Sequence, residues 1–162
     1  MKADLDRMLG GGNKWRWSKP HITLFTAKAA RADEPILVDL MRDGCTCYKP
    51  FDLHFSGYGH FQHSRTVFVN PIEKAPIEDL SVHLGTIVRL QQGMQPKEVW
   101  GSPHPHMTIG KGIFGRGQFE MALKFFEGRP YSAEMRVDGV LLLRRGVNPT
   151  TCYQPVGEFR LG

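Results

Sequence analysis

One short pattern occurs twice. HITLF at residues 21–25 and HMTIG at residues 106–110 both read His, apolar, Thr, apolar, and each follows a proline, Pro20 or Pro105. The copies start 85 residues apart in a chain of 162, one in each half. On an extended segment residues i and i+2 point to one side, so His21 and Thr23 share a face, as do His106 and Thr108. Ile22, Leu24, Met107 and Ile109 then point to the buried side and hold each motif in place. If a pseudo-two-fold arrangement brings the copies together, their shared cleft holds two imidazoles and two hydroxyls.

That set suits phosphoryl chemistry without a metal. A neutral imidazole removes a proton from an attacking water or ribose hydroxyl, while a protonated one supplies a proton to the leaving oxygen. The threonine hydroxyls donate hydrogen bonds to non-bridging phosphate oxygens, where negative charge concentrates. A single His-x-Thr reads as an ordinary half-buried strand. Two matched copies, one per half, read as a site.

The remaining pattern alternates helical and extended stretches. Residues 1–9 predict a short helix ended by Gly10, Gly11 and Gly12. Residues 20–26 read as a strand, and residues 33–41 as a helix with Ile36, Leu37, Leu40 and Met41 on one stripe, stopped by Gly44. Alternating apolar positions predict strands at 51–61 and 65–69. The strongest helix is 77–90, where Ile77, Leu80, Leu84, Ile87 and Val88 recur at three- and four-residue spacing, with Pro76 near its start and Gly93 and Pro96 beyond its end. A short strand at 105–111 and a helix at 118–126 follow. Strands at 133–144 and 153–161 close the chain, joined by a turn containing Gly146, Asn148 and Pro149.

Composition narrows the class. Gly 18 and Pro 11 are about 18% of the chain, against an average of about 12%, which favours turns and strands over a helical bundle. No apolar run approaches the ~18 residues of a membrane span, so no membrane role is expected. Cys45, Cys47 and Cys152 are odd in number and lack redox or zinc spacing, and the N-terminus has no apolar signal core. A reducing, cytoplasmic setting is the expectation. Lys and Arg total 21 against 16 Asp and Glu, a net charge of +5, which favours an anionic partner.

The paired motifs resemble those of the 2H phosphoesterase superfamily, the 2′-5′ RNA ligase-like or cyclic phosphodiesterase proteins. Their defining feature is two His-x-Thr/Ser-apolar motifs about this far apart. The resemblance covers nearly the whole chain: the 77–90 helix lies between the motifs, Lys111 stands five positions after His106, and GVLLLRR and YQPVGEFRL supply the closing strand pair. It implies one α+β domain over residues 1–162, bilobal, with two antiparallel sheets around a central groove, outer helices and pseudo-two-fold symmetry. It further implies hydrolysis or transfer at 2′,3′-cyclic phosphates or 2′-5′ phosphodiester bonds of RNA or nucleotides, including 2′-5′ oligoadenylates, with His21 and His106 as the acid-base pair. Two departures stand out. About twenty residues precede His21, too few for a strand and a full helix, so the N-terminal strand of the family is expected to be shortened, replaced or lost, and Lys111 stands where many relatives have Arg.

Other residues are weaker candidates. Lys111 is placed to neutralise a phosphate, with Tyr153, Arg144 and Arg65 as further substrate contacts. Trp15, Trp17 and Lys19 precede the first motif as a lip of the groove, although Trp17 reads slightly better as core. The stretch 54–65 mixes His54, Tyr58, His60, Phe61, His63 and Arg65, suited to holding a base. Gly110, Gly112, Gly115 and Gly117 read as a loop. No cofactor and no metal is expected, because His104 and His106 alone make a poor ligand set. A monomer without an obligate protein partner completes the reading. Its competitors are an RNA-end binding module without turnover and a metal-dependent hydrolase built on His104, His106 and another histidine. Phosphodiester turnover that persists in EDTA and follows a bell-shaped pH profile is the expected outcome, and loss of turnover on chelation favours the metal hydrolase.

Overall fold

Four of the five apolar side chains spaced along 77–90 close into one buried stripe. Ile77, Leu80, Leu84 and Val88 are each no more than 3% exposed, and Ile87 is half-buried. The computed structural model describes residues 1–11, 16–115, 117–146 and 153–162. In chain order its elements are α1 (Lys2–Met8), β1 (Phe25–Ala27), α2 (Glu34–Thr46), β2 (Phe51–Phe61), β3 (Thr66–Pro71), α3 (Ala75–Gln91), β4 (Val99–Gly101), β5 (Met107–Gly110), α4 (Gln118–Phe126), β6 (Ser132–Val137), β7 (Gly139–Arg144) and β8 (Gln154–Arg160). Short 3₁₀ turns occupy Arg31–Asp33 and Pro96–Glu98. The class is α+β with antiparallel pairing: β1 with β4, a four-stranded sheet ordered β5-β3-β2-β6, and β7 with β8.

The chain divides into two compact units, each assembled from three separate stretches. Unit 1 comprises Met1–Thr23, Leu53–Lys74 and His104–Met135. It contains α1, α4 and all but the ends of the four-stranded sheet. Its buried side chains include Leu5, Val67, Val69, Ile109, Phe119 and Ala122, each at most 1% exposed. Unit 2 comprises Leu24–Asp52, Ala75–Pro103 and Arg136–Gly162. Its core is Met41, Cys45, Leu80, Leu84, Val88, Phe159 and Leu161. Burial there pushes the Cys45 thiol up to about 11, leaving it an inert apolar group. Cys47 is exposed, and Cys152, Trp15, Gly12, Asn148 and Pro149 lie outside the described residues.

Several local expectations change. Gly44 lies inside α2 and does not end it. A Cβ there would stand 2.7 Å from Leu84 Cδ2 and 3.3 Å from Ile87 Cδ1, so the glycine permits close approach of α2 and α3. The buried stripe of α2 runs through Met41, Gly44 and Cys45, and Ile36, 51% exposed, lies off it. The expected strand at 133–144 is interrupted at Asp138, whose carbonyl accepts from Leu161 N–H at 2.9 Å; the chain thereby moves from β2's partner to β8's. The first motif is extended, but it makes a single bridge before the regular strand begins at Phe25. Trp17 is 81% exposed and not core. Among the described residues no strand precedes His21, and α1 is the element before it. None of the described helices is long and apolar enough to cross a membrane.

Filling the Gly44 gap tests the α2–α3 contact. Gly44→Val is expected to cost about 1–3 kcal/mol by overpacking, and Leu84→Ala about 2–5 kcal/mol by leaving a cavity, both read from urea midpoints at unchanged slope.

Candidate active site

The two motifs meet in unit 1 through one antiparallel bridge, Ile22 with Met107. Antiparallel register then sets His21 opposite Thr108 and Thr23 opposite His106, since partner numbers change in opposite directions along the two chains. Directly opposed side chains stand on one face with Cβ atoms about 5 Å apart. Each imidazole is therefore neighbour to the hydroxyl of the other motif. Met107 and Ile109 are buried beneath, and Ile22 is half-buried.

Both imidazoles are held alike. His21 Nδ1 lies 2.8 Å from the Lys19 carbonyl and His106 Nδ1 lies 2.7 Å from the His104 carbonyl. A carbonyl only accepts, so Nδ1 carries the proton in each ring and Nε2 keeps its lone pair when the ring is neutral. The acceptor is two residues upstream in both cases, and the intervening residue is Pro20 or Pro105, whose fixed φ stiffens the turn-back. The surroundings differ, however. His21 is exposed and His106 is half-buried. Burial lowers the His106 pKa from its ordinary value of 6.5; the nearby positive charge of Lys111, with His104 and His21, lowers it further against the opposing effect of the His104 carbonyl.

Aromatic rings define the wall beside His106. Phe61 meets its imidazole edge-on with centroids 4.9 Å apart, Phe68 lies 5.1 Å away, and the two phenyl rings are 4.5 Å apart. Phe68 pairs across β3 and β5 with Thr108, and across β3 and β2 with Gly59. A Cβ at Gly59 would come within 2.5 Å of the Phe68 ring, so the absence of a side chain there seats that ring. Phe61 belongs to the 54–65 stretch named from the sequence, but Phe68 and Gly59 were not legible as functional, because a glycine in a strand gives no sign of the ring above it.

A bulge sorts the 54–65 stretch. Register shifts between Phe55 and Tyr58, with Gly57 at φ +64°, and the alternation inverts beyond it. Tyr58 and His60 pack against Phe126 and Phe119 of α4, while Phe61 joins His106. His54 turns to Glu73, with Nδ1 2.9 Å from Oε1, and the hydrogen bonds from His54 hold the Glu73 carboxyl below its ordinary range. His63 lies 5.9 Å and His104 6.2 Å from the Phe61 ring.

The remaining candidates fall in both units. Lys111, exposed at the end of β5, is close enough for its charge to act on His106. Arg65, at φ +44°, lays its guanidinium over Phe114, and Trp17 carries Arg16. Arg144 donates twice to Glu34, at 2.6 and 2.8 Å, and once to Gln154 at 3.0 Å; Tyr153 lies under Arg145. Arg144 and Tyr153 belong to unit 2, whereas the motif pair belongs to unit 1. Among the described residues no three His, Cys, Asp or Glu side chains gather in a way that could hold a metal ion. Charge is also unevenly divided. Unit 1 has eleven Lys and Arg against six Asp and Glu, and six of the seven histidines, whereas unit 2 has ten of each sign. The whole +5 therefore resides with the two motifs.

The two His-x-Thr segments, one running into β5 and one bridged to it at Ile22, form the candidate site. Residues 7–149 match the profile of the 2′-5′ RNA ligase superfamily, and the chain belongs to that superfamily. Membership supports an enzyme of phosphoesterase type. No curated protein matches the chain in sequence at a significant level. Among solved structures, TT0787 of Thermus thermophilus aligns over 99% of this chain and 91% of its own at 20% identity and TM-score 0.67. E. coli LigT complexed with NADP+ aligns over 88% and 76% at 18% identity and TM-score 0.59, and LigT complexed with 3′-AMP over 88% and 77% at 19% identity and TM-score 0.56. At these identities the likeness establishes a shared fold.

Adding a methyl at Gly59 tests the aromatic wall. Gly59→Ala is expected to displace Phe68, lower stability by about 1–3 kcal/mol and change the His106 ring resonances in an NMR spectrum while leaving those of His83 in place.

Proposed function

We propose that the chain is a metal-independent phosphodiesterase that opens 2′,3′-cyclic phosphates or cleaves 2′-5′ phosphodiester bonds of RNA or nucleotides. One observation carries this reading: two imidazoles held alike through Nδ1, on segments that the Ile22–Met107 bridge sets side by side. Superfamily membership supports it, as do the nucleotides bound by LigT, a structural neighbour.

The lowered pKa of His106 keeps its Nε2 unprotonated near neutral pH, the form that accepts a proton. His106 is accordingly the base that deprotonates the attacking water, and His21 is the acid. The water oxygen bonds to phosphorus as the ester bond to the ribose oxygen breaks, and the proton on His21 Nε2 passes to that oxygen. Thr23, Thr108 and Lys111 stabilise the charge building on the non-bridging oxygens. A 2′,3′-cyclic phosphate opens to a 2′- or 3′-phosphate and a 2′-5′ bond to a 2′- or 5′-phosphate, and the product identifies the ester that breaks.

Turnover of 2′,3′-cyclic nucleotides, of RNA ending in a cyclic phosphate and of 2′-5′ oligoadenylate tests the assignment. His21→Ala and His106→Ala are each expected to lower kcat by about 10²–10⁴-fold; a double variant that keeps turning over sinks the mechanism. The rising limb of the pH profile follows deprotonation of His106, so it lies below the ordinary histidine value of 6.5. Lys111→Met removes a neighbouring cation, raises that pKa and moves the limb to higher pH, a shift read in parallel by NMR titration of His106. A limb that stays put removes His106 from the base role.

A further inference from the structure

Two exposed aromatic rings flank the motif pair in sequence, and each carries an arginine over its face. Trp17 is 81% exposed and Phe114 is 67% exposed. The Arg16 guanidinium lies 4.2 Å from the Trp17 ring centroid, and that of Arg65 lies 5.5 Å from the Phe114 centroid. Trp17 stands four residues before His21, and Phe114 three after Lys111. All of these residues belong to unit 1, the unit that carries the net positive charge.

Neither ring is on a loose segment. Arg16 bonds to Asp6 at 2.6 Å, and the Asp6 side chain is only 7% exposed at α1. Lys2 Nζ donates to Ser18 Oγ at 2.6 Å and to the Ser18 carbonyl at 2.8 Å, so both sides of Trp17 are tied to the same helix. On the other flank, Gly112 N–H donates to the Ser64 carbonyl at 3.2 Å and Ile113 N–H to the Arg65 carbonyl at 3.3 Å. Gly112 has φ +69°, and the Phe114 ring folds to within 3.2 Å of where a Cβ would stand there. Leaving rings this large in water forgoes the burial that would stabilise the fold. An exposed ring with a guanidinium over it is an arrangement on which an unpaired base stacks. A duplex hides its base faces, so only a single strand can use both rings.

We propose that Trp17 and Phe114 are stacking platforms for bases of single-stranded RNA, so that the enzyme prefers a substrate longer than a mononucleotide. This rests on the phosphodiesterase reading of the motif pair and adds the strand on either side of the reacting phosphate. The test compares kcat/KM for a mononucleoside 2′,3′-cyclic phosphate with that for a short single-stranded RNA ending in the same cyclic nucleotide. The RNA is expected to be favoured by about tenfold or more, and Trp17→Ala and Phe114→Ala each to reduce that ratio by about tenfold, with Trp17→Phe keeping most of it. Melting temperatures of the variants identify any loss caused by misfolding, to which these exposed positions contribute little. Equal kcat/KM for the two substrates, or a ratio that neither substitution moves, overturns the proposal and leaves the phosphodiesterase reading standing. If no substrate turns over, that reading fails, and the platforms are decided by fluorescence anisotropy of a labelled short RNA: binding lost in the alanine variants sustains them, and binding that survives both overturns them.

Discussion

The single bridge between Ile22 and Met107 is the constraint on which the candidate site depends. An antiparallel partner reverses direction, so one fixed pair dictates which side chains stand together on both sides of it. Shifting the register by one residue would send His21 and Thr23 to the buried side and Ile22 into water. The burial of Met107 and Ile109 beneath β5 opposes that slip. The apolar positions inside the motifs thus set the geometry of the polar ones.

The same economy governs the imidazoles. Each ring is oriented by a carbonyl two residues upstream, so its tautomer depends on a few covalently adjacent atoms and a proline. No distant carboxylate is needed to hold the Nδ1 proton. What remains to be supplied from elsewhere in unit 1 is environment: Phe61 and Phe68 beside His106, the charge of Lys111 beyond it, and Gly59 making room for the phenyl ring.

Much of this was legible because it is periodic or duplicated. The spacing along 118–126 matches α4 residue for residue, the bounds 51–61 match β2, and the duplicated His-x-Thr segments are bridged to one another. Features that depend on what lies across a contact were not legible. Gly44 looks like a helix terminator until Leu84 is seen against it, and Gly57 looks like a strand residue until its positive φ reverses the faces of all that follows. Arg144 reads as a substrate contact, and nothing in the sequence signals that Glu34, 110 residues away, holds it. β4 has three residues and pairs with β1, too short a segment for alternation to declare.

The crossing of imidazole and hydroxyl carries a consequence for stereochemistry. A site with true two-fold symmetry would present the same groups to a phosphodiester entered from either end, and half of all encounters would place the wrong ester oxygen beside the acid. Here one ring is half-buried against phenyl groups and a lysine, and the other is exposed. Under the proposed mechanism this difference would give the duplicated motifs a polarity, and the direction in which a nucleotide chain enters would be a property of packing rather than of the motifs themselves.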